Sequence, residues 1–186
     1  MLVVTPNTCT DVTTWLPSLT PGTVSRATRT LQTAGGKGVN VCRTLRALGR
    51  PARLLGLAPA EDPRLARLLA EEGCDFRPIP HRGPGRVALI FLEDDGRVSV
   101  VNGRGPEPED WDTAGLLPAV AEEALRAPAV VCSGSLPPGL PEDTYGRVVD
   151  VAHARSLPAF VDAAPAVLAA TLPHGPDLVS PNIGEA

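Results

Sequence analysis

A chain of 186 residues is long enough for one domain with a sizeable core, and its 43% apolar content is ordinary for a globular protein, although it comes from Ala, Leu and Val rather than from aromatic residues. The net charge of −4 is dispersed along the chain, which argues against a nucleic-acid partner or an anionic membrane surface. No apolar run is long enough to cross a bilayer and no basic-then-apolar leader opens the sequence, so a cytoplasmic location is expected.

In chain order, Met1–Thr5 reads as a short apolar strand broken by Pro6-Asn7-Thr8. Asp11–Leu16 and Thr23–Ala34, rich in Thr and Val, read as a strand pair separated at Pro21-Gly22. A helix over about Gly38–Leu48 follows from Val39, Val41, Cys42, Leu45 and Leu48, with Gly49 as its stop. Arg53–Leu57 reads as a strand, Asp62–Glu72 as a helix and Asp75–Ile79 as a strand. Arg86–Leu92 and Arg97–Asn102 flank Glu93-Asp94-Asp95-Gly96, where Asp-Gly predicts a hairpin. A helix with an interruption at Pro118 is expected over Glu107–Arg126. Beyond it come a strand at Ala129–Cys132, a stiff loop Ser133-Gly134-Ser135-Leu136-Pro137-Pro138-Gly139, and a helix opened by Pro141 and running to about Ala154. Strand Ala159–Asp162, helix Pro165–Leu172 and strand Leu178–Ser180 complete the pattern. The later alternation of strand and helix predicts a parallel sheet with helices on both faces. The two early strand pairs do not fit it, and together they would make a small sheet covering the ligand-binding ends of the main strands, a candidate lid.

One lysine, Lys37, occurs in the whole chain; the other sixteen basic residues are Arg. It lies in Ala34-Gly35-Gly36-Lys37-Gly38-Val39-Asn40, where glycines let the backbone approach a ligand and a helix start supplies free N–H groups. The spacing is not that of a dinucleotide fingerprint, and Gly38 stands where a P-loop needs Ser or Thr, so both of those nucleotide folds are poor matches. The four cysteines, Cys9, Cys42, Cys74 and Cys132, are far apart and read as buried reduced thiols. At the end of the chain, Asn182 with Glu185 three residues on is a capping-box signal for a helix beginning where the sequence stops, which implies a fragment of a longer fold.

Taken in order, Thr5-Pro6-Asn7 through Asp11, Ala34–Val41, Arg86, Ser133–Gly139, Val161-Asp162 and Pro181-Asn182-x-x-Glu185 resemble the ribokinase-like sugar kinases of the PfkB type, closest to the 1-phosphofructokinase/tagatose-6-phosphate kinase branch. The resemblance spans the chain but only about three-fifths of the family's usual length. It implies an α/β ribokinase-like parallel-sheet sandwich, incomplete at the C-terminus. Residues 1–186 would be the N-terminal portion of a single kinase domain, with lid strands within 11–34 and 85–103. It implies ATP and Mg²⁺ as cofactors, a sugar phosphate as substrate and a homodimer through the lid. Asp11, Gly35, Gly36, Lys37 and Asn40 would hold the sugar, Arg86 its phosphate, and Ser133 and Ser135 would line the floor. Asn182 and Glu185 would be linked to Mg²⁺.

The residues alone leave simpler readings open. Asp11 fits a strand-edge acid, the glycine turn a tight connection, Arg86 a solvated strand residue, and Asn182/Glu185 a cap with no metal. The sequence also departs from the family pattern. Ala88 stands where Asn is common, Ser180 where Lys is common and Ala163-Ala164-Pro165 where small hydroxyl residues and Gly are common; G-A-G-D, which carries the family's catalytic Asp, does not occur. The expectation is therefore a chain that supplies the sugar-binding part of an ATP-dependent kinase acting on a hexose phosphate, fructose 1-phosphate first, with its catalytic Asp beyond Ala186. The alternative is a non-catalytic sugar-phosphate binder or a decayed kinase fragment.

Overall fold

A computed structural model describes residues 1–106 and 115–180. Six parallel strands form the main sheet: β1 (Leu2–Val4), β4 (Arg53–Pro59), β5 (Asp75–His81), β8 (Val130–Ser133), β9 (Ala159–Asp162) and β10 (Leu178–Val179), in the order β10-β9-β8-β1-β4-β5. Side chains alternate across a strand, and here the alternation sorts the core into two layers. Leu2, Val4, Leu55, Val130 and Cys132 face one cluster with α3 (Leu116–Ala124), α4 (Thr144–His153) and α5 (Pro165–Thr171). Val3 and Leu54 face the other cluster, with α1 (Lys37–Ala47) and α2 (Arg64–Glu71). Strands buried on both faces read as apolar runs, which is why β1 is apolar throughout and β8 is apolar up to Ser133.

The strand pairs that broke the alternation join into a second sheet of order β3-β2-β6-β7, built from β2 (Cys9–Leu16), β3 (Arg29–Gly35), β6 (Arg86–Glu93) and β7 (Val98–Asn102). Its two hairpins meet through β2 and β6, which run parallel with Cys9 opposite Arg86 and Asp11 opposite Ala88.

Most boundaries fall within about two residues of expectation, and three places differ more instructively. The strand predicted over Thr23–Ala34 begins only at Arg29, because β2 ends at Leu16 and its last residue to pair with β3 is Trp15, opposite Arg29. Pro118 does not interrupt a helix. It is the third residue of α3, in the first turn, where a missing N–H costs no helical bond; the segment 107–114 of the expected helix lies outside the described residues. The helix expected to open at Pro141 begins at Thr144, with the Pro141 carbonyl accepting the Thr144 N–H in a turn just before it.

Candidate active site

The site grows from the turn that connects β3 to α1. Gly36 precedes the helix at φ 113°, a conformation that side-chain-bearing residues rarely adopt, and this turns the chain so that Lys37 and Asn40 face outward from the helix start. Gly35 is required for a different reason: a Cβ there would stand 2.1 Å from the Asp11 carboxylate, which lies across it. The glycine pair thus makes the turn and leaves room for an acid.

Asp11, Gly36, Lys37, Asn40, Arg86 and Ser135 line one cavity of about 330 Å³, between the second sheet and the carboxyl ends of the main strands. That is where open α/β sheets take ligands. Cys9, Asp11, Arg86, Ala88, Ile90, Val100 and Asn102, all lining residues, sit at alternate positions of β2, β6 and β7, so a single face of the small sheet forms the roof.

Each charged group is held. Lys37 Nζ donates to Asp162 Oδ1 at 2.9 Å, and Ser133 Oγ donates to the other carboxylate oxygen at 3.1 Å. The Arg86 guanidinium donates from Nε to the Gly103 carbonyl at 2.7 Å and from Nη1 to the Asn7 carbonyl at 2.9 Å. Neutral carbonyls orient it without cancelling its charge, and two of its five N–H donors are used in this way. Asp11 accepts from the Cys9 thiol at 3.2 Å. Burial, and then the neighbouring Asp11 carboxylate, push that thiol up to about 12, so it stays a protonated donor. Arg43 binds Glu72 with two donors at 2.7 Å each, the Ala34 carbonyl at 2.8 Å and Asn40 Oδ1 at 2.9 Å. Its hydrogen bonds to Glu72 hold the guanidinium above the usual arginine range.

Two predicted residues stand behind the lining rather than in it. Ser133, expected on the floor, is fully buried and supports Asp162, while Gly35 lies buried beneath the Asp11 carboxylate. Asn182 and Glu185 lie outside the described residues, and among those described no three His, Cys, Asp or Glu side chains gather as a metal site.

Sequence reasoning missed several contributors, Thr5, Cys9 and Gly134 of the lining among them. Asn7 donates from Nδ2 to Ser135 Oγ and to the Arg104 carbonyl, both at 3.1 Å, tying the end of the first strand to two walls of the cavity. Ile90, Val100 and Asn102 complete the roof. The hairpin signal could have found Asn102, since pairing outward from the turn brings it opposite Ala88. Asn7 lies in a segment that carries the family resemblance, but nothing local gives it this bridging role.

Comparison with known proteins agrees with this architecture. Residues 2–186 match the family model described as pfkB family carbohydrate kinase. The tetrameric inhibited form of phosphofructokinase-2 from Escherichia coli superposes with a TM-score of 0.90 at 26% identity, over 99% of this chain and 61% of that one. The same enzyme in complex with fructose-6-phosphate gives 0.88 at 26% identity, over 100% and 62%. A possible 1-phosphofructokinase from Thermotoga maritima gives 0.87 at 23% identity, over 100% and 62%, a likeness of fold. The chain thus spans about three-fifths of the length of these structures. With the family model matched from residue 2 to residue 186, the chain belongs to the pfkB family of carbohydrate kinases.

Proposed function

We propose that this chain supplies the sugar-phosphate-binding part of an ATP-dependent hexose-phosphate kinase, with fructose 1-phosphate as the first candidate substrate. The observation that carries the reading is one cavity holding a carboxylate, an amide and an arginine with unspent donors: Asp11, Asn40 and Arg86. A carboxylate accepts from two sugar hydroxyls, and a guanidinium fork matches phosphate oxygens. Lys37 adds a compact positive charge, tempered by Asp162.

ATP supplies the γ-phosphoryl group, and Mg²⁺ is proposed to accompany it; the described residues offer no ligand set for the metal, so its contribution rests on Asn182 and Glu185. What this chain's own side chains do is bind and orient. Asp11 and Asn40 fix the hydroxyls, Arg86 fixes the phosphate end, and the small sheet keeps water from the bound sugar as a lid. The acceptor hydroxyl's proton is assigned to none of them: Asp11 holds hydroxyls and Asp162 is engaged by Lys37 and Ser133. A homodimer through the lid and a cytoplasmic setting complete the reading. The dimer is supported by Leu31, Val98 and Val100, exposed on the roof face. Sedimentation should show a dimer that Val98→Asp dissociates; a monomeric parent chain removes this part.

The deciding experiment is calorimetric titration of the 186-residue chain with fructose 1-phosphate, fructose 6-phosphate, tagatose 6-phosphate and free fructose, followed by an ATP-to-ADP assay. The phosphate esters should bind, free fructose should not, and Arg86→Ala should erase the difference. Equal affinity for free fructose and its esters overturns the reading. Binding without turnover is the result expected of a chain that supplies only the binding part, whereas turnover would place a catalytic group within these 186 residues.

A further inference from the structure

Asn40 lines the cavity from the first turn of α1, and an amide there has two faces to offer: a carbonyl oxygen that accepts and an NH₂ that donates. Which face meets a ligand is settled three residues along the helix. Arg43 Nη1 lies 2.9 Å from Asn40 Oδ1. A guanidinium carries only donors, so the atom it touches must be the amide oxygen. The oxygen is thereby engaged, and the NH₂ is the face left for the cavity.

Arg43 is itself immobilised. Glu72, beyond the end of α2, takes Nε and Nη2 in a two-point ion pair at 2.7 Å each, and the Ala34 carbonyl, just before the glycine turn, takes Nη2 at 2.8 Å. Both partners are part-buried, with 37% and 28% of their side chains exposed, and a fork held at three points keeps its aim. One side chain therefore ties together the strand entering the turn, the helix leaving it and the neighbouring helix.

We infer that the Arg43–Glu72 pair is a positioning device that fixes Asn40 as a hydrogen-bond donor, so that this corner of the cavity selects a ligand atom that accepts: a sugar oxygen rather than a hydroxyl proton. The inference rests on the proposed sugar-phosphate function for its ligand, though not for its geometry. Beside it, Asp11 is an acceptor, so the two side chains read opposite polarity on the same sugar.

The test is a double-mutant cycle read by calorimetry with fructose 1-phosphate, on the 186-residue chain. Asn40→Ala and Arg43→Gln should each weaken binding about tenfold, and the double variant should be no weaker than the worse single one. Arg43→Lys keeps the charge but cannot span three acceptors, so it should stay near Arg43→Gln. Glu72→Gln, a gentler change, should lose a fraction of that. Multiplying effects in the double variant, or wild-type affinity in Arg43→Lys, overturns the inference. A readout without ligand separates it from the functional reading. The Asn40 side-chain NH₂ signals, assigned with Asn40→Ala, should report a rigid amide in the parent and a mobile one in Arg43→Gln. An equally mobile amide in both overturns the device, whereas a rigid amide in a chain that binds no hexose phosphate overturns the kinase reading alone.

Discussion

The two sheets of this protein use the same strand chemistry to opposite ends. The inner strands of the main sheet are covered on both faces, with Val3, Val4, Leu54, Leu55 and Val130 all at most 1% exposed. The small sheet is open: Val98 is 60% and Val101 57% exposed, and Trp15 at its far end is covered by Arg29, whose guanidinium lies 4.5 Å above the ring. The first sheet is a foundation: α1, packed on it, carries Lys37 and Asn40, and its strand β9 ends at Asp162. The second contributes Asp11 and Arg86 from a thin layer tied to the first by the glycine turn and by the hydrogen bonds of Arg86 and Asn7. Ligand groups on a rigid base and on a thinly supported roof are what a closing site needs.

This contrast can be broken most forcefully in the core. Leu54→Ala should destabilise the protein by about 3 kcal/mol, because the main sheet cannot collapse around the cavity left, whereas Val101→Thr on the roof should cost about 0.5 kcal/mol or less. Denaturant unfolding measures both, and equal losses would mean that the small sheet is as tightly packed as the large one. At the junction, Gly35→Ala should lower hexose-phosphate affinity about tenfold by driving its methyl group into the Asp11 carboxylate, with a smaller effect on stability. Calorimetry checks it, and unchanged affinity would detach Asp11 from the site.

The smallest effects concern the thiols. Burial pushes Cys9 and Cys42 up to about 12 from the ordinary 9.0, and Cys132 higher still. Iodoacetamide at about pH 8 should therefore modify half-buried Cys74 first and the other three slowly, as mass spectrometry of the intact protein would show. The sign for stability follows from the raised values. Below pH 9 the thiols are protonated folded or unfolded; between pH 9 and about 12 the unfolded chain releases protons that the folded one keeps, so stability is lost as pH rises through that window.

Much of this protein is legible in its sequence. Alternating apolar strands and periodic helices are local patterns, and they point to the parallel sheet; the glycine turn and its single lysine mark the centre of the site, because turn chemistry depends on adjacent residues. The boundaries that moved, at Arg29 and Thr144, are places where pairing or packing decided where a local pattern begins. Tertiary structure alone decided the rest. The parallel pairing of β2 with β6, the 125-residue reach from Lys37 to Asp162, the support of Asp162 by Ser133, and the hold of Arg43 on Asn40 with Glu72 behind it are all set by the folded chain. Local periodicity records which face a residue presents, but not which distant residue the folded chain sets against it.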